Sequence, residues 1–197
     1  MSVVRLAVAV EGGHIVVAWG LGWLFAQPPL GRVHLVWSAF AWGIAATLPP
    51  LVAVWCCTRS RWRPFVQLMR DVNGKLVPAF ARCTLLELAL ISILAGVGEE
   101  ALFRGFIQSA LASWVSPWWA LALTSVLFGL GHLITPAYAL LAGLLGLYLG
   151  TLALVYDNLL LVMTVHGLYD FLALIYLTKR PQTAGAGNGE SIAGGWR

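Results

Sequence analysis

Apolar runs closed by short turn signals repeat along this chain, each near the ~20 residues that a helix needs to cross a bilayer. The first, residues 3–25, contains Arg5, Glu11 and His14 and ends at Gln27-Pro28-Pro29-Leu30-Gly31, a turn signal. A carboxylate inside the run, with no evident small-residue cleavage site, reads as a retained helix rather than a signal peptide. Residues 33–57 form a second run, with a kink expected at Pro49-Pro50. Residues 58–82 break the pattern. Arg59, Arg61, Arg63, Arg70, Lys75 and Arg82 stand there against Asp71 alone, which reads as a loop with an amphipathic part lying on the membrane. Apolar runs then follow at about 83–111, 117–134, 137–156 and 158–178, separated at Ser116-Pro117, Thr135-Pro136 and Asp157-Asn158. Trp114, Trp118 and Trp119 flank one turn as interfacial anchors. Gly143, Gly146 and Gly150 allow neighbouring helices to approach closely. The expected fold is all-α, a polytopic membrane helix bundle of about six transmembrane helices. One transmembrane domain spans 1–178, with its polar motifs in 83–178, and residues 179–197 read as a disordered cytoplasmic tail.

Composition agrees with the pattern. The chain is 60% hydrophobic and 10% charged, where soluble domains carry about 25% charge, so it is read as an integral membrane protein. Cys56, Cys57 and Cys83 lack zinc-ribbon spacing and are read as packing residues. With six spans, both termini share a side with the 58–82 loop. That side holds ten of the twelve Lys and Arg residues, Arg32 lies opposite, and Arg104 lies within a helix. The bias places both termini in the cytoplasm. The net charge of +4 is thus a matter of topology, and no nucleic-acid partner is expected.

Charges inside the apolar runs are the exception, and ionisable groups at membrane depth default to function. Glu100 and Arg104 stand at i and i+4, on one helix face, and read as a structural ion pair. Glu99 points about 100° away from Glu100 and has no partner on its own helix. The turns near 112–116 and 157–158 lie on one side of the bilayer. Measured from them at about 1.5 Å per residue, Glu99 lies ~18 Å deep, His132 ~22 Å, His166 ~12 Å and Asp170 ~18 Å. Three helices thus bring their buried polar groups to one layer. His166 and Asp170, again at i and i+4, allow the carboxyl group to orient the imidazole. A carboxylate and an imidazole around one water form a general-base pair, and a second imidazole can donate to a developing oxyanion. Such a site hydrolyses amide bonds within the membrane. Glu11 and His14, one turn apart, read as a mutual pair or packing feature, with contact to the catalytic cavity as the alternative.

The succession Glu99-Glu100-x-x-x-Arg104, Phe128-x-x-x-His132 and His166-x-x-x-Asp170 resembles the CAAX protease and bacteriocin-processing family, also called CPBP or Abi, of intramembrane endopeptidases. The resemblance covers about residues 83–178. It implies Glu99 as the catalytic glutamate with His132 beside it on the attacking water, His166 and Asp170 on the oxyanion side, and Glu100 with Arg104 as support. Many members carry Asn where this chain has Asp170. The substrate implied is a membrane-anchored protein or peptide, met within the lipid bilayer. Members are described both as metalloproteases and as metal-free glutamate proteases. No cofactor is favoured here, and the alternative is Zn2+ held by Glu99, His132 and His166, a His/Glu set of the catalytic zinc type. A small transporter or immunity protein using the same polar layer is the reading from a different class.

Overall fold

A computed structural model describes residues 2–179; the expected cytoplasmic tail therefore lies outside the described residues, apart from Lys179. The described chain is helical throughout its ordered elements. Helix α1 is Val3–Leu24, α2 Trp37–Ala46, α3 Leu48–Arg59, α4 Arg63–Asp71 and α5 Val77–Phe80, with a π-helical link at Val72–Leu76. Helix α6, Leu85–Glu100, runs into a π-helical segment at Ala101–Gln108 and then α7, Ser109–Ala112. Helices α8 (Pro117–Gly131), α9 (Pro136–Tyr156) and α10 (Leu159–Lys179) complete the bundle.

Four units are long and apolar enough to cross a membrane: α1, the α2–α3 pair, α9 and α10. The helix running from α6 to α7 counts as a span only together with the α4–α5 segment, bent from it by 113°. Its composition explains this, because Glu87, Glu99, Glu100 and Arg104 lie along it. Helix α8 has only 15 residues, a rise of ~22 Å against a hydrocarbon core of ~30 Å. The sequence run at 117–134 is therefore shorter as a helix than its apolar composition suggests. Large apolar side chains such as Trp23, Leu86 and Trp114 are 80–86% exposed, as suits helices facing lipid.

Local rules account for the ends. Thr84 and Glu87 form a reciprocal cap at the start of α6: Thr84 Oγ1 accepts from the Glu87 amide at 3.2 Å, and Glu87 Oε2 accepts from the Thr84 amide at 2.8 Å. The break expected at Pro49-Pro50 falls earlier, at Thr47, because both prolines occupy the first turn of α3, where a missing N–H costs nothing. The 58–82 stretch folds as α4 and α5. Its apolar face turns inward, with Leu68, Val72 and Val77 packed against Tyr138, Leu141 and Leu177 while Arg63 and Arg70 stay exposed.

Helix α10 is central, packing along α6, α2 and α9, while α8 pairs with α9 and α1 lies on α6. The loop after α1 staples this arrangement. Arg32 Nη2 donates to the Arg104 carbonyl at 2.7 Å and to Ser109 Oγ at 2.9 Å. The backbone of His34 exchanges hydrogen bonds with the Asn158 side chain, at 3.1 and 2.9 Å, in the turn between α9 and α10. Where α6 meets α10, a Cβ on Gly96 would lie 2.7 Å from the Gly167 amide nitrogen and 2.9 Å from the Met163 carbonyl oxygen. Neither backbone can give way cheaply. Gly96→Val is expected to lower stability by about 1–3 kcal/mol, the usual cost of overpacking, read as a lower unfolding midpoint in detergent. A wild-type midpoint would mean that the two helices separate freely at this contact.

Candidate active site

The close approach at Gly96 sets Glu99 and Glu100 against α10. Glu100 and Arg104 are fully buried, and Arg104 Nη1 donates to Glu100 Oε1 at 2.8 Å. The pair expected from i, i+4 spacing is therefore present, across the junction where α-helix becomes π-helix. Runs of π-helix are rare and often lie at functional sites. Arg104 Nη2 donates to the Gly146 carbonyl of α9 at 2.9 Å, and its guanidinium lies 4.4 Å from the centroid of the Phe128 ring.

The same Glu100 oxygen has a second partner that spacing does not reveal. His166 Nδ1–H donates to Glu100 Oε1 at 2.7 Å. On the other ring nitrogen, Nε2, Asp170 Oδ2 stands at 3.5 Å and Glu99 Oε2 at 4.0 Å. The sequence pairs His166 with Asp170 on one helix; in the structure the shorter bond, and so the main hold on the imidazole, comes from Glu100. Asp170 flanks the nitrogen that faces Glu99.

His132 stands just past the C-terminus of the short α8. Its Nδ1 lies 2.8 Å from the Phe128 carbonyl, an atom that only accepts, so Nδ1 carries the proton. The other ring nitrogen, Nε2, stands 3.6 Å from Glu99 Oε2. That gap is too long for a direct hydrogen bond and suits a bridging water. Glu99 itself is 5% exposed, and its Oε2 has no hydrogen-bond partner. A buried carboxylate oxygen left unsatisfied is costly, and this one faces the Nε2 atoms of two imidazoles.

Sequence reasoning missed two contributors. The first is Phe128, buried, with its ring stacked on His132 at 4.6 Å, edge-on to His166 at 5.9 Å and to Phe103 at 5.0 Å. It is the common wall of the layer, and only its place four residues before His132 hinted at this. The second is the α1 pair. His14 Nδ1–H donates to Glu11 Oε2 at 3.1 Å, and ligand atoms of Glu11, His14 and Glu99 all lie within 4.8 Å of one another. Among the described residues this is the trio compact enough to hold a metal ion; His132 and His166 lie outside it. Of the alternative zinc set, Glu99 Oε2 lies 3.6 Å from His132 Nε2 and 4.0 Å from His166 Nε2.

Residues 81–172 match the family model described as type II CAAX prenyl endopeptidase Rce1-like. The matched segment is 92 of the 197 residues, and over it the chain is similar to that family. Comparison with curated proteins and with solved structures gives no match. The Rce1-like segment contains Glu99, Glu100, Arg104, Phe128, His132, His166 and Asp170, whereas Glu11, His14 and Arg32 precede it. The Rce1-like layer is thus completed in space by a helix that the family match does not include.

Proposed function

We propose that this chain is an intramembrane endopeptidase that hydrolyses a peptide bond of a membrane-associated protein or peptide. Similarity of residues 81–172 to a CAAX-type protease family supports the reaction class. The observation that carries the residue assignment is the unpartnered Oε2 of buried Glu99, facing the Nε2 atoms of His132 and His166.

In this mechanism a water lies between Glu99 Oε2 and His132 Nε2. As its oxygen attacks the substrate carbonyl carbon, its proton passes to Glu99. Negative charge then gathers on the carbonyl oxygen. His166 in its imidazolium form keeps Nδ1–H on Glu100 and offers Nε2–H to that oxyanion. Asp170 positions this donor from the next turn of α10. Collapse of the tetrahedral intermediate breaks the C–N bond, and Glu99 returns its proton to the leaving amine. Glu100 and Arg104 hold the imidazole and the helix. In this reading no metal enters any step, because a carboxylate and an imidazole suffice to activate the water. The described core functions as one protease domain in the bilayer, with its basic loop and both termini cytoplasmic.

The test is cleavage by the purified protein in lipid vesicles, using membrane-anchored peptides with fluorophores beyond the scissile region. Cleavage is expected to proceed undiminished in phenanthroline. Loss of activity with the chelator, restored by stoichiometric zinc, would reverse the metal-free assignment. Absence of cleavage together with proton or ion flux into the vesicles would replace the protease by a transporter.

A further inference from the structure

The family match leaves α1 unexplained, yet α1 brings a carboxylate and an imidazole to Glu99. We propose that Glu11, His14 and Glu99 form a binding site for a divalent transition-metal ion of the zinc class, and that occupation of this site silences the protease. The silencing part rests on Glu99 as the catalytic base; the binding part does not.

The geometry is built rather than incidental. Helix α1 rests directly on α6 at Gly98, where a Cβ would lie 2.5 Å from the Glu11 carbonyl oxygen and 3.3 Å from His14 Cβ. The backbones that carry all three residues are thereby fixed against each other, as a preorganised ligand set requires. His14 Nδ1 lies 3.1 Å from Glu11 Oε2, so these two ligand groups already face each other and an ion would take the place of the proton between them. One atom from each residue lies within 4.8 Å of the others, so a modest contraction brings all three to the ~2.0–2.2 Å bonds of zinc with nitrogen and carboxylate oxygen. Glu99 Oε2 is buried and without a hydrogen-bond partner, so the carboxylate that joins this trio has unused capacity to ligate. Metal binding displaces the protons that such groups hold, and two carboxylates balance the charge of a divalent cation. One imidazole and two carboxylates suit zinc, manganese or iron in preference to soft copper(I).

The consequence for catalysis is direct. A carboxylate bound to a cation no longer takes a proton from water, so the metal acts as an inhibitor. Glu11 and His14 take no part in the proposed cleavage, and their substitution leaves the metal-free reaction in place.

The full chain in detergent, stripped with chelator, is titrated with Co2+ and followed by its visible absorption, with Zn2+ as competitor. One equivalent is expected to bind. Affinity should fall at least about tenfold in His14→Ala, Glu11→Gln and Glu99→Gln. In parallel, Zn2+ should inhibit the wild type reversibly, whereas His14→Ala keeps its metal-free activity and resists zinc. His14→Asn covers a folding failure of the alanine variant, because its amide can still donate to Glu11 but offers no imidazole nitrogen. Absence of stoichiometric Co2+ binding, or equal binding by His14→Asn and wild type, overturns the site. Binding as expected without zinc inhibition overturns the silencing alone. Binding as expected in a chain whose Glu99→Gln variant still cleaves leaves the site standing and removes Glu99 as the base.

Discussion

Glu99→Gln is expected to reach the membrane in normal amounts and to cleave membrane-anchored peptides at least about 100-fold more slowly than wild type, since positioned general bases contribute roughly 10²–10⁴-fold. The amide keeps the shape of the carboxylate but accepts no proton. The change leaves no charge unpaired, because Glu99 makes no ion pair as tight as that of Glu100; His132 and His166 stand 3.6 and 4.0 Å away. A buried carboxylate without a full set of partners is a burden to folding, so the variant should unfold at the wild-type midpoint or above it. Activity and stability therefore move in different directions, which separates a catalytic defect from a damaged fold. Cleavage within tenfold of wild type in vesicles would remove Glu99 from the mechanism.

The second large effect concerns Glu100, and here the structure changes the expectation. Spacing alone makes Glu100 a partner for Arg104, so that Glu100→Gln should lose activity only as folded protein is lost. The structure gives its Oε1 to Arg104 and to His166 at once, at 2.8 and 2.7 Å. Removing one partner of a buried pair costs about 3–5 kcal/mol, and a clear fall in the unfolding midpoint is expected. Activity per folded molecule should fall as well, because nothing else fixes His166 Nδ1. The double variant Glu100→Gln/Arg104→Gln separates the two roles. It strands no charge, so stability should recover toward wild type, as neutral replacements of buried pairs often do. His166 remains without its carboxylate, so activity should stay low. A stable double variant with wild-type turnover would reduce Glu100 to support for Arg104.

These two glutamates show what was legible in the chain. Contacts within one helix follow from arithmetic: Glu100 with Arg104, His14 with Glu11, and the nearness of His166 to Asp170 all come from one-turn spacing. The shared depth of Glu99, His132 and His166 followed from residue counts, because the bilayer fixes where helices begin. Contacts between helices depend on rotation about each axis, which apolar runs facing lipid do not encode strongly. Hence Glu100 with His166, 66 residues apart, and the arrival of Glu11 and His14 at Glu99 appear only in three dimensions. The π-helical run at Ala101–Gln108 is a change of hydrogen-bond register, and no residue pattern marks it. The shortness of α8 was hidden for a related reason: Leu133 and Ile134 extend the apolar run past the point where the helix ends at Gly131.

Phe128 bears on how such a site changes over evolutionary time. Its ring meets the Arg104 guanidinium 4.4 Å and the His132 imidazole 4.6 Å from its centroid. The two groups thereby share a neighbour whose position each of them sets. Neighbours joined in this way typically couple by 0.5–3 kcal/mol. A lineage that alters the ion-pair side of the ring changes the fitness of every later substitution on the water-activating side. The ring makes these positions one heritable unit, so replacement of Arg104 or His132 is expected to require a matching change at Phe128.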